Sequence, residues 1–436
     1  MLIHLRDAMV ARRPRETTQE RDTPMDRISW ALAAPLPRVS HPLDNPKHRP
    51  NPKHRPNPKF SAVTKESHMK RRAIVAVAAL CGFAALTGCS TGNDAPNAYA
   101  VKSDIPTAAA MDPAVLDAAR KEGSLLVYGE ANEATMKPVL AAFQNQYPDI
   151  KTSYISLGGT ESFQRYLNEK ATGGKTADVI VSLQGANFLD LVKRGDIQDF
   201  TPPAAAPLPD FAKLAPGVFA MELNPVMALI NTTLLPKSEQ PDSLEALAKM
   251  SSDPKLAGRI VTYDGTTEFG YTVNHAYIAK AGEAGWNVLD QLGKNTKVEA
   301  SAGPMFNKLL QGEYTMSYFQ SGATRPLLTG ATAKVLNYKF FKDGSPFMPR
   351  GAGATTGGKS PNAAKVFLNF LIDKAGQTAG CAGGFAPYLD GVDCPVNLAK
   401  VTEQLGAENI NIARWDEALV NDAPAFKNRW KEAFGR

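Results

Sequence analysis

SLLVYGEANEATMKPVLAAFQNQYPDIKTSYISL, residues 124–157, reads as strand, helix, strand. SLLVYG (124–129) is a short apolar run, and KTSYISL (151–157) is a second strand. Between them NEATMKPVLAAFQNQYP spaces its apolar residues at the helical period and stops at a proline. The same alternation extends to both sides. DPAVLDAARKEG before it is a helix closed by Gly123. After it come the glycine turn GGTES, the helix SFQRYLNEKATGG, the strand ADVIVSL (177–183) and the helix ANFLDLVKRGD. Strands and helices alternating at this spacing imply a parallel, doubly wound α/β sheet.

A second set follows. PVMALINTTLL (225–235) is apolar, lies between Pro-rich stretches and reads as a crossing strand. Beyond it SLEALAKM is helical, GRIVTYD (258–264) a strand, and YTVNHAYIAKAG and EAGWNVLDQLG are helices. TKVEAS is a strand, GPMFNKLLQG a helix, and YTMSYFQSG (314–322) and AKVLNYKFF (333–341) are strands. PNAAKVFLNFLIDKAGQ (361–377) is a strongly amphipathic helix, and polar helices run to the end. About 350 residues suffice for two lobes with separate cores.

The first 68 residues do not read as a folded domain. They are rich in charge and proline and contain NPKHRP twice in tandem, at 45–50 and 51–56. Met69-Lys70-Arg71-Arg72 then precedes the apolar run AIVAVAALCGFAAL (73–86), the layout of an export signal. The run is shorter than the roughly 20 residues a membrane span needs. It ends in Leu86-Thr87-Gly88-Cys89, which resembles a bacterial lipobox, with Cys89 the lipidated first residue of the mature chain. An export signal does not normally work from position 69, so residues 1–68 are either a mis-called extension ahead of Met69 or a disordered leader. Residues 90–112 read as a tether.

Removing the leader changes the charge. Residues 89–436 carry 33 basic and 36 acidic side chains, so the formal +6 of the whole chain belongs to its N-terminus and is no sign of a nucleic-acid partner. Only His275 remains of the six histidines, which leaves little for a metal site or a Ser-His triad; the plain reading is a packed or surface residue. From Cys89 onward there is no G-x-S-x-G, and the mature chain reads as a non-enzyme without a cofactor. Cys381 and Cys394 are the two cysteines left after processing, in a compartment where disulfides persist, and are expected to pair.

The order and motifs resemble the extracellular solute-binding proteins of bacterial ABC importers, in the branch that includes ferric-iron-binding proteins. The matching stretches are LLVYGEANE, AFQNQYPDIK, ADVIVS, NTTLLP, DPKLAGRIVTYD, LLQGEYTMSY and SPNAAKVFLNFLIDKAGQTAG, spanning residues 124 to about 390. The resemblance implies two α/β lobes joined by crossing strands, 113–230 and 231–344, with a return to the first lobe over 345–436. It implies a non-enzymatic monomer, lipid-anchored at the outer face of the cytoplasmic membrane, that closes on a small ligand and docks on a membrane permease. Ferric-binding members commonly use adjacent tyrosines; Tyr318-Phe319 is the nearest match here and lacks the second phenolate, leaving Tyr271, Tyr338 and Tyr388 to contribute singly.

GATTGGKS (353–360) fits the P-loop pattern G-x-x-x-x-G-K-[ST]. Its context argues against nucleotide binding. GSPFMPRGA before it has two prolines and no apolar run, so no strand is expected to feed the loop, and Pro361 removes a backbone N–H that a phosphate would use. Ser360 is expected to cap the following helix.

Ligand sites in open α/β sheets lie beyond the carboxyl ends of strands. In the first lobe that places Glu130, Asn132, Gly159, Thr160, Glu161, Ser162, Ser182 and Gln184 at the cleft. In the second lobe it places Thr266, Thr267, Tyr271, Tyr318, Gln320 and Arg325 there. The turns GGTES and GTTE start helices and offer N–H groups, which favours an anion such as a phosphorylated or carboxylated metabolite, with Arg325 meeting both turns. Read plainly, the threonines and Ser162 are helix caps and Arg325 is solvated. Ferric iron and a polyamine, served by Glu130, Glu133 and Glu161, are the alternatives.

Overall fold

The structure, a computed structural model, describes residues 104–436. The tandem repeat, the export signal, Cys89 and most of the tether lie outside the described residues. The end of the tether is docked: Ala108 N–H donates to Gln146 Oε1 at 3.1 Å, and Asn369 Nδ2 donates to the Ala109 carbonyl at 2.7 Å.

The first half of the chain forms α1 (Pro113–Glu122), β1 (Ser124–Gly129), α2 (Glu133–Gln146), β2 (Lys151–Ser156), α3 (Gly159–Ala171), β3 (Val179–Ser182) and α4 (Gly185–Lys193). β1 pairs parallel with both β2 and β3. After β4 (Lys213–Ala215) comes β5 (Val218–Asn231), 14 residues long and buried throughout. The second set is α5 (Leu244–Met250), β6 (Ile260–Tyr263), α6 (Glu268–Gly293), β7 (Thr296–Glu299), α7 (Ala302–Leu310), β8 (Met316–Ser321), α8 (Thr332–Val335) and β9 (Leu336–Lys339). β6 lies parallel to β7 and β8. The chain then returns through β10 (Phe347–Ala354), α9 (Pro361–Ile372), α10 (Lys374–Ala382), α11 (Leu398–Leu405), α12 (Glu417–Asn421) and α13 (Ala423–Ala433).

The strand order β2-β1-β3-β10-β5-β8-β6-β7 shows how two parallel sets become one two-lobed molecule. β5 pairs antiparallel with β10 through Pro225 and with β8 from Val226 onward. The crossing strand therefore begins seven residues before the expected Pro225. Pro225 sits where β5 exchanges one partner for the other, a place in a ladder that tolerates a missing N–H. The two helices read over 271–293 are both present within α6, joined across a kink at Gly282, whose φ of 59° is not helical. Residues 333–335, expected as the start of a strand, belong instead to the helical turn α8.

The first core centres on α9, which is buried from Ala363 to Ile372 save for Lys365, with Phe143 set edge-on against Phe367 and Phe370 at 4.9 and 5.4 Å. The C-terminal residues do not all stay with the first lobe. α13 lies along α6 of the second, and the buried Trp430 covers Gly265 so closely that a Cβ there would come within 2.5 Å of the indole.

Candidate functional site

β1 ends at Gly129, which delivers Glu130 to the carboxyl edge of the first sheet. The Glu130 carboxylate accepts three hydrogen bonds: Leu183 N–H at 2.6 Å, Ser182 Oγ at 2.8 Å and Arg350 Nη1 at 2.6 Å. Arg350 is buried on β10, and its Nε donates to Glu222 Oε1 at 2.6 Å. Glu222 in turn accepts Ala386 N–H at 2.9 Å. Burial works against the Arg350 charge, but Glu222 and Glu130 outweigh it and raise the guanidinium above its usual range.

The start of α3 closes on this group. A Cβ on Gly159 would strike the Gln184 side chain and come within 2.7 Å of Glu130 Oε2, so a larger residue here would push these two polar side chains aside. Thr160 Oγ1 reaches Gln184 Oε1 at 3.5 Å. Glu130, Gly159, Thr160, Ser182 and Gln184 are thus brought together. Three other expected residues serve helix starts. Asn132 caps α2 through Thr135 N–H, Glu161 accepts Gly158 N–H, and Ser162 Oγ donates to the Gly158 carbonyl.

The second lobe faces this edge with the start of α6. Thr266 Oγ1 donates to Asp264 Oδ1, and Thr267 Oγ1 donates to the Asp264 carbonyl while accepting Gly270 N–H. Both hydroxyls are spent inside the turn. Burial pushes the Asp264 carboxyl up, but the hydrogen bonds from Thr266 and the charge of Arg436 prevail and lower it. The next residue, Glu268, reaches across: Ala186 N–H, in the first turn of α4, donates to Glu268 Oε1 at 3.3 Å. Burial raises the Glu268 carboxyl above its usual range. Tyr263 is buried behind it, its hydroxyl raised by burial and by the charge of Glu130, and it accepts Ser321 N–H at 3.4 Å.

Tyr318 and Gln320 are buried in β8, and Gln320 Nε2 donates to the Ala302 carbonyl at 3.4 Å. Tyr271 is buried and donates to the Leu419 carbonyl at 2.7 Å. Arg325, expected as a solvated or ligand-facing cation, is buried; its Nε donates to the Gly322 carbonyl at 2.9 Å and its Nη2 to the Gly384 carbonyl at 3.1 Å. It joins the turn after β8 to the loop after α10. His275 is packed against Asp422, 3.3 Å away, on the wall of a separate cavity of about 840 Å³ between α6 and residues 411–429. Cys381 and Cys394 are bridged, with Cα atoms 5.8 Å apart.

Two expectations about GATTGGKS are corrected. A strand does feed it, since β10 runs to Ala354, and Ser360 makes no side-chain cap. The place of a phosphate is nonetheless filled from within. Asp178 Oδ1 accepts Ser360 N–H at 2.7 Å, and the Glu122 carboxylate accepts Asn362 N–H at 3.0 Å and Ala363 N–H at 2.7 Å. A Cβ on Gly358 would lie 2.5 Å from Asp178 Oδ1, so the loop is closed on that carboxylate.

Arg350, Glu222 and Glu268 were not singled out by sequence reasoning. The signal for one of them was present: Glu222 interrupts the apolar run FAMELNPVMALI, and a carboxylate in a buried strand requires a buried partner.

A two-lobed α/β molecule with its polar residues gathered where strand ends face each other is the architecture of a binding protein. Residues 128–378, more than half of the chain, match the family of bacterial extracellular solute-binding proteins, and the chain belongs to that family. It is the solute-binding component of an ABC import system and acts outside the cytoplasm. A substrate-binding protein of an ABC transporter from Agrobacterium tumefaciens is 20% identical with a TM-score of 0.63, over 71% of this chain and 94% of that one. Iron-bound HitA from Pseudomonas aeruginosa is 18% identical with a TM-score of 0.57, over 71% and 99%. AfuA from Actinobacillus pleuropneumoniae, with fructose-6-phosphate bound, is 19% identical with a TM-score of 0.55, over 72% and 99%. No curated protein matches the chain. Among the described residues no helix is long and apolar enough to cross a membrane.

Proposed function

We propose that the solute is a small organic or phosphorylated anion, captured between the ends of β1 and β3 in the first lobe and the start of α6 in the second. One observation carries this reading. The backbone N–H groups at the cleft edge, Leu183 and Ala186, already bind carboxylate oxygens, those of Glu130 and Glu268. A site built of N–H groups at a helix start suits oxyanions. A phosphorylated sugar of the kind AfuA holds carries the charge that such N–H groups would take. Thr160 and Gln184 supply further polar contacts, and Arg325 acts by holding the Gly322 and Gly384 loops in place.

The ferric reading lacks a ready ligand set. The Tyr271 hydroxyl is committed to the Leu419 carbonyl and that of Tyr388 to the Ala220 carbonyl. The polyamine reading loses force because Glu130 is paired with Arg350 and Glu161 with a helix-start N–H. The test is a thermal-shift screen against sugar phosphates, carboxylates, polyamines and ferric citrate, followed by calorimetry. A solute at 100 times its Kd adds about 2.7 kcal/mol of stability. An anion should give the largest shift; a polyamine or ferric citrate giving it alone would overturn the reading.

The proposal extends to the N-terminus. The mature chain starts at a diacylated Cys89, residues 69–88 are the signal peptide, and the monomer is anchored outside the cytoplasmic membrane beside its permease. MKRR, the apolar run and LTGC support this. Mass spectrometry of membrane-extracted protein should find a lipidated N-terminal cysteine; residues 1–68 on the mature protein would refute it.

A further inference from the structure

Glu268 is carried by the second lobe, yet the hydrogen bond given to its carboxylate comes from Ala186 in the first. Its position follows from local structure. Thr267 caps α6, so Glu268 is the first helical residue, and its carboxylate lies at the positive end of its own helix. It also lies at the start of α4, where Gln184 occupies the cap position without a side-chain cap hydrogen bond. One carboxylate therefore serves two helix starts that belong to different lobes. The cation facing it is Lys427 of α13, which is itself drawn over the Tyr271 ring at 5.1 Å. Only one of the carboxylate oxygens, Oε1, takes the N–H at the α4 start, at 3.3 Å, while burial opposes its charge. Such a contact is strong enough to hold two surfaces together and weak enough to yield to an anion bringing two or three oxygens.

We propose that Glu268 is a self-ligand: its carboxylate occupies the start of α4, holds the empty lobes together and is displaced by the anionic solute. This rests on the anion reading above. Small-angle X-ray scattering of the solute-free protein should show a larger radius of gyration for Glu268→Ala than for wild type. Glu268→Asp, one methylene too short to span the lobes but still charged in the first turn of α6, should show the same. Inorganic phosphate, titrated as the probe, should bind Glu268→Ala about threefold or more tighter than wild type, because its competitor is gone. Scattering from both variants that superimposes on wild type overturns the proposal. So does weaker phosphate binding by Glu268→Ala, which would make Glu268 a solute contact. Failure of the anion reading looks different: phosphate then binds no form while the variants still expand, which upholds the lobe-holding contact and removes its displacement by an anion.

Discussion

Arg350 is 1% exposed and lies between two carboxylates, so its removal leaves two buried acids without a cation. Breaking such a group by deleting one partner costs about 3–5 kcal/mol. Arg350→Met should lose that much in urea unfolding at pH 7; a loss below about 1 kcal/mol would show that Glu130 and Glu222 reach water. Glu268 gives a pH signature of the opposite kind. Its folded pKa is raised, so the folded state holds its proton more tightly than the unfolded chain. Its contribution is favourable below the ordinary glutamate range and is lost as pH rises through the folded value. Glu268→Gln, which keeps the acceptor oxygen, should therefore be more stable than wild type at pH 7, with the gap closing as pH falls toward 4. A gap independent of pH would refute the assignment. Of these side chains, Glu130 could be placed from the strand that precedes it. Arg350 could not, because its partners lie 220 and 128 residues away.

At the scale of elements, GATTGGKS shows how a motif can keep its local setting and lose its chemistry. Strand, loop and helix are all present, but Glu122 from α1 supplies the anion for α9 and Asp178 supplies it for Ser360. Charge-assisted hydrogen bonds contribute about 1.5–3 kcal/mol each. Glu122→Ala should destabilise the protein by about 2–3 kcal/mol, whereas the exposed Lys359 can be replaced by Ala within about 0.5 kcal/mol. ATP should leave the melting temperature unchanged; a rise that Lys359→Ala abolishes would restore the nucleotide reading. β10 was hidden by Pro346 and Pro349. Pro349 is paired with Leu223, beside the bulge between Arg350 and Gly351, and Val226 N–H donates to the Pro346 carbonyl. Proline is barred from a strand only where its N–H must be donated, and single-chain pattern cannot show which positions those are.

At the scale of the whole molecule, the C-terminal helix decides how the second lobe is finished. Trp430 is fully buried, stacked on Phe434 at 4.1 Å and closed over Gly265 at the end of β6. Large aromatic-to-alanine changes in such a place cost about 3–5 kcal/mol. Trp430→Ala should therefore lower hydrogen-exchange protection in α6 and β6 more than in β1–β3; uniform loss would mean that the lobes unfold as one unit. The sequence alone settled the α/β class, the alternation of strands and helices in both lobes, the caps at Thr267 and Gly123, and the Cys381–Cys394 pair. Those features depend on spacing within a dozen or so residues, or on the cysteines left to pair. The meeting of Ala186 with Glu268, the capture of Arg325 by the Gly322 and Gly384 carbonyls, and the pairing of Glu222 with Arg350 and Ala386 were decided only by tertiary structure. Most of these bonds join segments 59 to 164 residues apart, and a buried charge finds its partner through the packing of sheets, which no local period records.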